Sequence, residues 1–244
     1  MTFPFELTLI EVIFIASLLF ISSAVQGVLG FGFAVIASPI IVQIEPSLVP
    51  QLLSLLGFPL AIRVFYREKE EVDLSKVKPL IIGRLAGGPI GLFLLLNLSE
   101  QYLSIAVGFI VFIAGIGSFF GWVINRNIFN SFLAGTFSGV FGMVAAIGGP
   151  PVALLYRNTK SQEFRPSLNS VFSIGIVITL LLLLFSGNLL RDHFLLFAIF
   201  LPFVLIGIRV SSTLFSKVSD KFISHAVTYF SLLSGLYVIL RNIN

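Results

Sequence analysis

The chain contains no cysteine. Disulfides, thiolate metal sites and cysteine nucleophiles are excluded together. Charge is scarce as well: Asp, Glu, Lys and Arg make up 11% of the 244 residues, against about 25% in ordinary soluble domains. No Asp or Glu falls deep inside an apolar run, so the buried carboxylate relays of proton pumps have no material here. Glu11 stands in the first turns of its run and Asp192-His193 in a loop. The two histidines, His193 and His225, show no metal-ligand spacing, and no cofactor is indicated. An HExxH motif is missing, GTFSG lacks the GxSG form of rhomboid-like proteases, and neither histidine has an obvious serine partner. These absences argue against an intramembrane enzyme. The opening MTFPFELTLIEVIF has no basic residue, which argues against a cleaved signal peptide. No segment alternates with the ten-residue rhythm of an outer-membrane barrel.

What the chain does have is apolar length. Hydrophobic residues are 57% of the total and runs of 18 or more recur, the mark of an all-α polytopic membrane protein. The net charge of +4 suits loops facing an anionic leaflet better than nucleic acid. The apolar run from Leu7 to Val42 is too long for one pass, and Gly27, Gly30, Gly32 and Pro39 interrupt it. Helices are then expected over Val49–Tyr66, Pro79–Asn97 and Tyr102–Trp122, with a charged loop from Arg67 to Lys78. A second interrupted run covers Ile128–Tyr156, followed by a polar loop at Arg157–Arg165 and helices over Pro166–Ser186, His193–Thr213 and Phe222–Leu240.

The two interrupted runs resemble each other. SSAVQGVLGFGFAVIASP at Ser22–Pro39 returns as AGTFSGVFGMVAAIGGPP at Ala134–Pro151, an offset of 112 that pairs Gly27 with Gly139, Gly30 with Gly142 and Pro39 with Pro151. Further on, an offset of 116 pairs Pro50 with Pro166, Ser54 with Ser170 and Gly91 with Gly207. This divides one integral membrane domain into halves, 1–124 and 125–244. If each interrupted run enters and leaves on one side, twelve Lys and Arg gather on one face and only Arg191 and Arg241 on the other. If each run crosses once, the split is eight to six and carries no bias. The positive-inside rule favours the first arrangement: two inverted-topology repeats, each a broken re-entrant hairpin plus three transmembrane helices, with both termini away from the cytoplasm. Trp122, Tyr66 and Tyr156 then belong to an aromatic belt on the cytoplasmic side, with Tyr102 and Tyr237 opposite.

A helix that starts inside the membrane points free N–H groups and a positive dipole end at whatever lies there. Ser38-Pro39 reads as a cap followed by a first-turn proline, and Gly149-Pro150-Pro151 as a similar start. Paired interruptions in two halves mark a transporter's midplane site, and these would favour an anion. The site candidates are Gln26, Gly27, Gly30, Gly32, Ser38 and Pro39 from the first hairpin. The second supplies Ser138, Gly139, Gly142, Gly148, Gly149, Pro150 and Pro151, with Asn169 on the helix after it. Ser22, Ser23, Gln51, Ser54 and Ser170 are nearby polar residues whose bland reading is helix-helix bonding. Arg84, in IIGRLAGG, is the one cation well inside a span, either on the site or, at about 8 Å from Pro79, reaching back to the interface. Arg63 and Arg209 read as topology anchors, Arg165 as an anchor or a gate. Gly83, Gly87 and Gly91 make a small-residue face for packing within the chain, and a homodimer seam stays open.

GVLGFGFAVIASP and GVFGMVAAIGGPP together resemble the duplicated signature of the TauE/SafE family of membrane anion exporters, and GGPPVALLY and EFRPSLNSVF are similar to other parts of it. Phe33 and Ala34 depart from the glycines of the first signature, and Val144, Ala145 and Ala146 from those of the second. The resemblance implies export of sulfite or small organosulfonates across a bacterial inner membrane. An anion channel, or a scaffold subunit without flux of its own, is the alternative.

Overall fold

The computed structural model describes residues 3–68, 73–156, 161–214 and 219–243. Lys69, Arg157, Lys160 and Lys217, and the side chains of Arg67 and Arg165, lie outside the described residues. Among these residues ten α-helices follow in order: α1 (Leu9–Leu29), α2 (Phe33–Ile41), α3 (Gln51–Glu68), α4 (Leu74–Asn97), α5 (Glu100–Phe119), α6 (Ile128–Ala145), α7 (Gly149–Tyr156), α8 (Ser161–Phe185), α9 (Arg191–Leu214) and α10 (Asp220–Ile243). Seven of these, all but α2, α3 and α7, contain a stretch long and apolar enough to cross a membrane. The chain is a multi-pass membrane protein. α3 misses that standard because Arg63, Arg67 and Glu68 fall within its 18 residues.

Local chemistry sets the helix ends. Thr8 and Glu11 form a reciprocal capping box at the head of α1, the Thr8 amide donating to Glu11 at 2.9 Å. Glu11 is thus a cap in an otherwise apolar run. α1 ends at Gly30 (φ 81°) and α2 begins after Gly32 (φ 115°), a left-handed pair that glycine adopts without strain. In the second half, α6 is capped by Asn127 and ends at Ala146 (φ 59°), and α7 starts at Gly149. The breaks at Gly30 and Ala146 are 116 residues apart, so the offset of 112 read from the signatures is one helical turn short.

Three prolines read from sequence as helix starts lie inside helices instead. Pro39 is in α2, Pro79 in α4 and Pro166 in α8. The cap of α2 is Gly32 rather than Ser38, because the two left-handed glycines turn the chain before the proline is reached. α4 begins at Leu74, where the Asp73 carboxylate accepts from the Ser75 amide at 3.1 Å. The second interrupted run breaks at Ala146–Gly148, as GGPP suggested.

Helices of opposite halves pair. α1 lies along α9, α6 along α4, α5 along α10 and α3 along α8. The first two pairs run parallel: Ser23 faces Gly207 and Gly27 faces Ser211, while Gly135 faces Leu80 and Gly139 faces Arg84 and Gly87–Gly88. A Cβ at Gly83, Gly87 or Gly91 would overlap α6, so this small face serves packing within the chain. α5 and α10 run antiparallel, with Gly115 against Leu232, Ser118 bonded to Thr228 at 2.7 Å and Gln101 bonded to Asn242 at 2.7 Å.

Contacts link the residues that precede and follow each broken element. Before α1, the Phe5 ring lies 4.7 Å from the His193 ring, and His193 Nε2 donates to the Ser47 carbonyl, just after α2, at 2.9 Å. Before α6, the Ile124 amide donates to Leu154 of α7 at 3.2 Å, and the Arg126 guanidinium sits 4.9 Å from the Tyr156 ring. His193 is therefore a buried link at the start of α9 rather than a loop residue, its Nδ1 accepting from the Leu190 amide at 3.0 Å. Tyr156 is 1% exposed and belongs to the core, not to an aromatic belt, whereas Tyr66, Tyr102, Trp122 and Tyr237 are exposed. Ile15, Leu19, Ile41, Leu52 and Leu56 centre the core, and the outer surface carries exposed Phe93, Phe109, Phe185 and Leu233, as a lipid-facing wall requires.

Candidate functional site

Arg84 is the residue around which the site is assembled. It stands ten residues after the start of α4, about 15 Å along the helix at 1.5 Å per residue. That is the middle of the helix, not the interface, because α4 starts five residues before Pro79. The side chain is 4% exposed, so it does not snorkel. Its Nη1 donates to Ser138 Oγ of α6 at 2.8 Å, and Ser138 donates in turn to the Gly148 carbonyl at 2.6 Å. The guanidinium faces the Phe172 ring of α8 at 5.8 Å. Its Nε has no hydrogen-bond partner among the described residues. The one ion pair found among them joins Lys76 and Asp73, so no described carboxylate neutralises Arg84. An isolated buried charge is costly unless something compensates it.

Room for the guanidinium is made by missing side chains. A Cβ at Gly148 or Gly175 would overlap it, and one at Gly142 would come within 2.9 Å of Nη2. Glycines from α6, the second tip and α8 thus open a slot at the level of both helix breaks.

A cavity of about 50 Å³ lies at that level. Its wall takes Gln26, Gly32 and Phe33 from around the first helix break, Gly142, Gly148 and Gly149 from around the second, Ser54 from α3, Arg84 from α4 and Phe172 from α8. Gln26 Oε1 accepts from the Phe33 amide at 3.2 Å, capping the first turn of α2, and its amide nitrogen makes no hydrogen bond to a described residue. The wall therefore offers amide and hydroxyl donors beside one fixed cation, chemistry suited to an oxyanion.

Other candidates hold the tips in place. Ser38 donates to the Ala145 carbonyl at the end of α6 at 2.6 Å. Asn169 Nδ2 donates to the Gly30 carbonyl at the end of α1 at 3.3 Å. Each half thus caps the other half's broken helix. Gly27 and Gly139 lie within helices and permit close packing on α9 and α4, away from the cavity. Pro39 is buried inside α2 and does not reach the cavity. Pro150 and Pro151 line a second, larger chamber of about 610 Å³ between α5, α6, α7 and α10. Ser22 and Ser170 bond back to Leu18 and Pro166 of their own helices. Phe172 and Gly175 are not legible from sequence as site residues. One is a phenylalanine among 27, and a glycine opposite an arginine can be recognised only once the helices are paired.

A comparison with curated proteins finds no significant match, and a comparison with solved structures finds none either. The family model described as Sulfite exporter TauE/SafE matches residues 14–238, spanning both helix breaks and the Arg84 cavity, and the chain belongs to that family.

Proposed function

We propose that the protein carries a small oxyanion, of the sulfite or organosulfonate class, out of the cell through the cavity at Arg84. The observation that carries this reading is a buried guanidinium, with no described carboxylate paired to it, at the level where both broken helices end. Transport rather than catalysis fits the wall, which lacks an acid-base pair or nucleophile with a base among the described residues.

The proposed topology is a pair of inverted repeats with re-entrant hairpins. Three things support it. The hairpin bases close at Phe5–Ser47–His193 and at Ile124–Tyr156. Tracing α1 with α9, α9 to α10, α10 against α5, and α4 with α6 puts those bases on opposite faces. The equivalent helices α5 and α10 run antiparallel. Arg63, Lys76, Lys78, Arg126, Arg209 and Lys221 then fall towards the second base, and Arg191 and Arg241 towards the first. The positive-inside rule makes the second face cytoplasmic, in a bacterial inner membrane.

With the interior negative, an anion leaves downhill by about 2.3 kcal/mol per charge per 100 mV. Outward flux therefore needs no coupled proton. In proteoliposomes, sulfite efflux should saturate, respond to an imposed potential and fall sharply in Arg84→Gln. Flux indifferent to the potential would reject uniport, and flux indifferent to Arg84→Gln would reject the site.

A further inference from the structure

The two cavities are neighbours, and their chemistry differs. Phe31 and Val35, at the first hairpin tip, line both the cavity of about 50 Å³ at Arg84 and the chamber of about 610 Å³. Among the described residues no charged side chain lines the chamber. Its polar side chains are largely committed to the protein: Ser118 bonds Thr228 at 2.7 Å, Ser231 bonds back to Val227 at 2.7 Å, and Asn130 bonds Asn125 at 2.7 Å. The rest of the wall is Leu, Ile, Val, Phe, Ala, Gly, Pro and Trp, including Ile113, Ala114, Phe137 and Leu154, with Tyr156 and Ser224 near one end. A bare hydrated oxyanion gains nothing from such a surface. An apolar group entering it does, because apolar area leaves water.

We infer that the preferred substrate is an amphiphilic monoanion, a sulfonate or carboxylate head bearing an apolar tail of several carbons. The head occupies the Arg84 cavity and the tail passes between Phe31 and Val35 into the chamber. This rests on the reading of the Arg84 cavity as an anion site, and it goes further by assigning the larger chamber to the same ligand. Trp122, Ile124, Asn130 and Ser224 of its wall lie near the ends of α5, α6 and α10 that face the second base, the side proposed to be cytoplasmic.

The test is a homologous series. Sodium methane-, butane-, hexane- and octanesulfonate, and sulfite, are titrated against the full chain in lipid nanodiscs, with empty nanodiscs subtracted. Affinity should climb along the series by about tenfold or more, the limit for complete burial being about fourfold per methylene. Ala114→Trp and Ala153→Phe fill the chamber from α5 and from α7, and each should lower the ratio of octane- to methanesulfonate affinity. Two positions on different helices guard against one variant misfolding. A series that is flat or falling, or a ratio unchanged in both variants, overturns the tail assignment alone. Binding that is absent across the whole series, or indifferent to Arg84→Gln in every member, overturns the anion site and this inference together.

Discussion

Gly175→Ala tests the placement of Arg84 without touching its charge. A methyl group at 175 would overlap Cδ, Nε and Cζ of Arg84. These atoms are the middle of the side chain, held at its end by Ser138, so they have no easy retreat. Overpacking of this kind costs about 1–3 kcal/mol. Replacing a helical glycine by alanine returns about 1 kcal/mol of that. Net stability should therefore fall by no more than about 2 kcal/mol, and the protein should still fold. The effect on function should be larger. Displacing the guanidinium removes a hydrogen bond involving a charged group, which is worth about 1.5–3 kcal/mol. If the anion depends on the same placement, its affinity drops about ten- to a hundredfold, at about 1.4 kcal/mol per decade. The assay is sulfite or methanesulfonate binding in nanodiscs, paired with thermal unfolding in the same lipid. A double-mutant cycle sharpens it. Arg84→Ala removes the group that the new methyl would strike, so Gly175→Ala should cost nothing in that background. Additive effects, or native affinity in Gly175→Ala, would refute the described position of the guanidinium.

Ser38→Ala leaves the buried Ala145 carbonyl without its 2.6 Å partner and should destabilise the protein by about 1–3 kcal/mol, seen as a lowered unfolding temperature. His193→Ala orphans the Leu190 amide and the Ser47 carbonyl, and amide exchange should rise around residues 46–48 and at Leu190; unchanged protection there would sink the proposed link. The absence of native cysteine makes topology directly measurable. A single cysteine in place of Asn242 should react with a membrane-impermeant thiol reagent applied to intact cells, and one in place of Lys221 should react only after the membrane is opened. The reverse pattern would invert the assignment of faces.

The helical spans are legible in the sequence because length and apolarity are local properties, and each expected span lies within a few residues of an observed helix. The GGPP break is legible too, since glycine and proline there coincide with the true start of α7. Prolines elsewhere mislead. Pro39, Pro79 and Pro166 each stand in the second turn of their helices, where the sequence alone suggests a start. Pro79 is the instructive case, because it hides five residues of α4. A helix counted from Pro79 puts Arg84 about 8 Å from the interface, whereas it sits about 15 Å along α4. The roles of Gly27 and Gly139 depend on which helix lies opposite, and nothing in an apolar run announces its neighbour. Gln26 is readable as a polar residue near a break; that its carbonyl caps the next helix follows only from the turn made by two left-handed glycines.

The crossed caps of the broken helices bear on how such a protein can be made and divided. Ser38 of the leading half completes a helix of the trailing half, and Asn169 of the trailing half completes one of the leading half. A nascent chain released into lipid after its first five helices would therefore expose an open carbonyl until some 50 further residues arrived and supplied the missing amide. Under the proposed inverted repeat, a single ancestral unit would have met this need by pairing with an oppositely oriented copy. Once fused, neither half could be shed, and a gene split between them should regain activity only when both pieces are synthesised together.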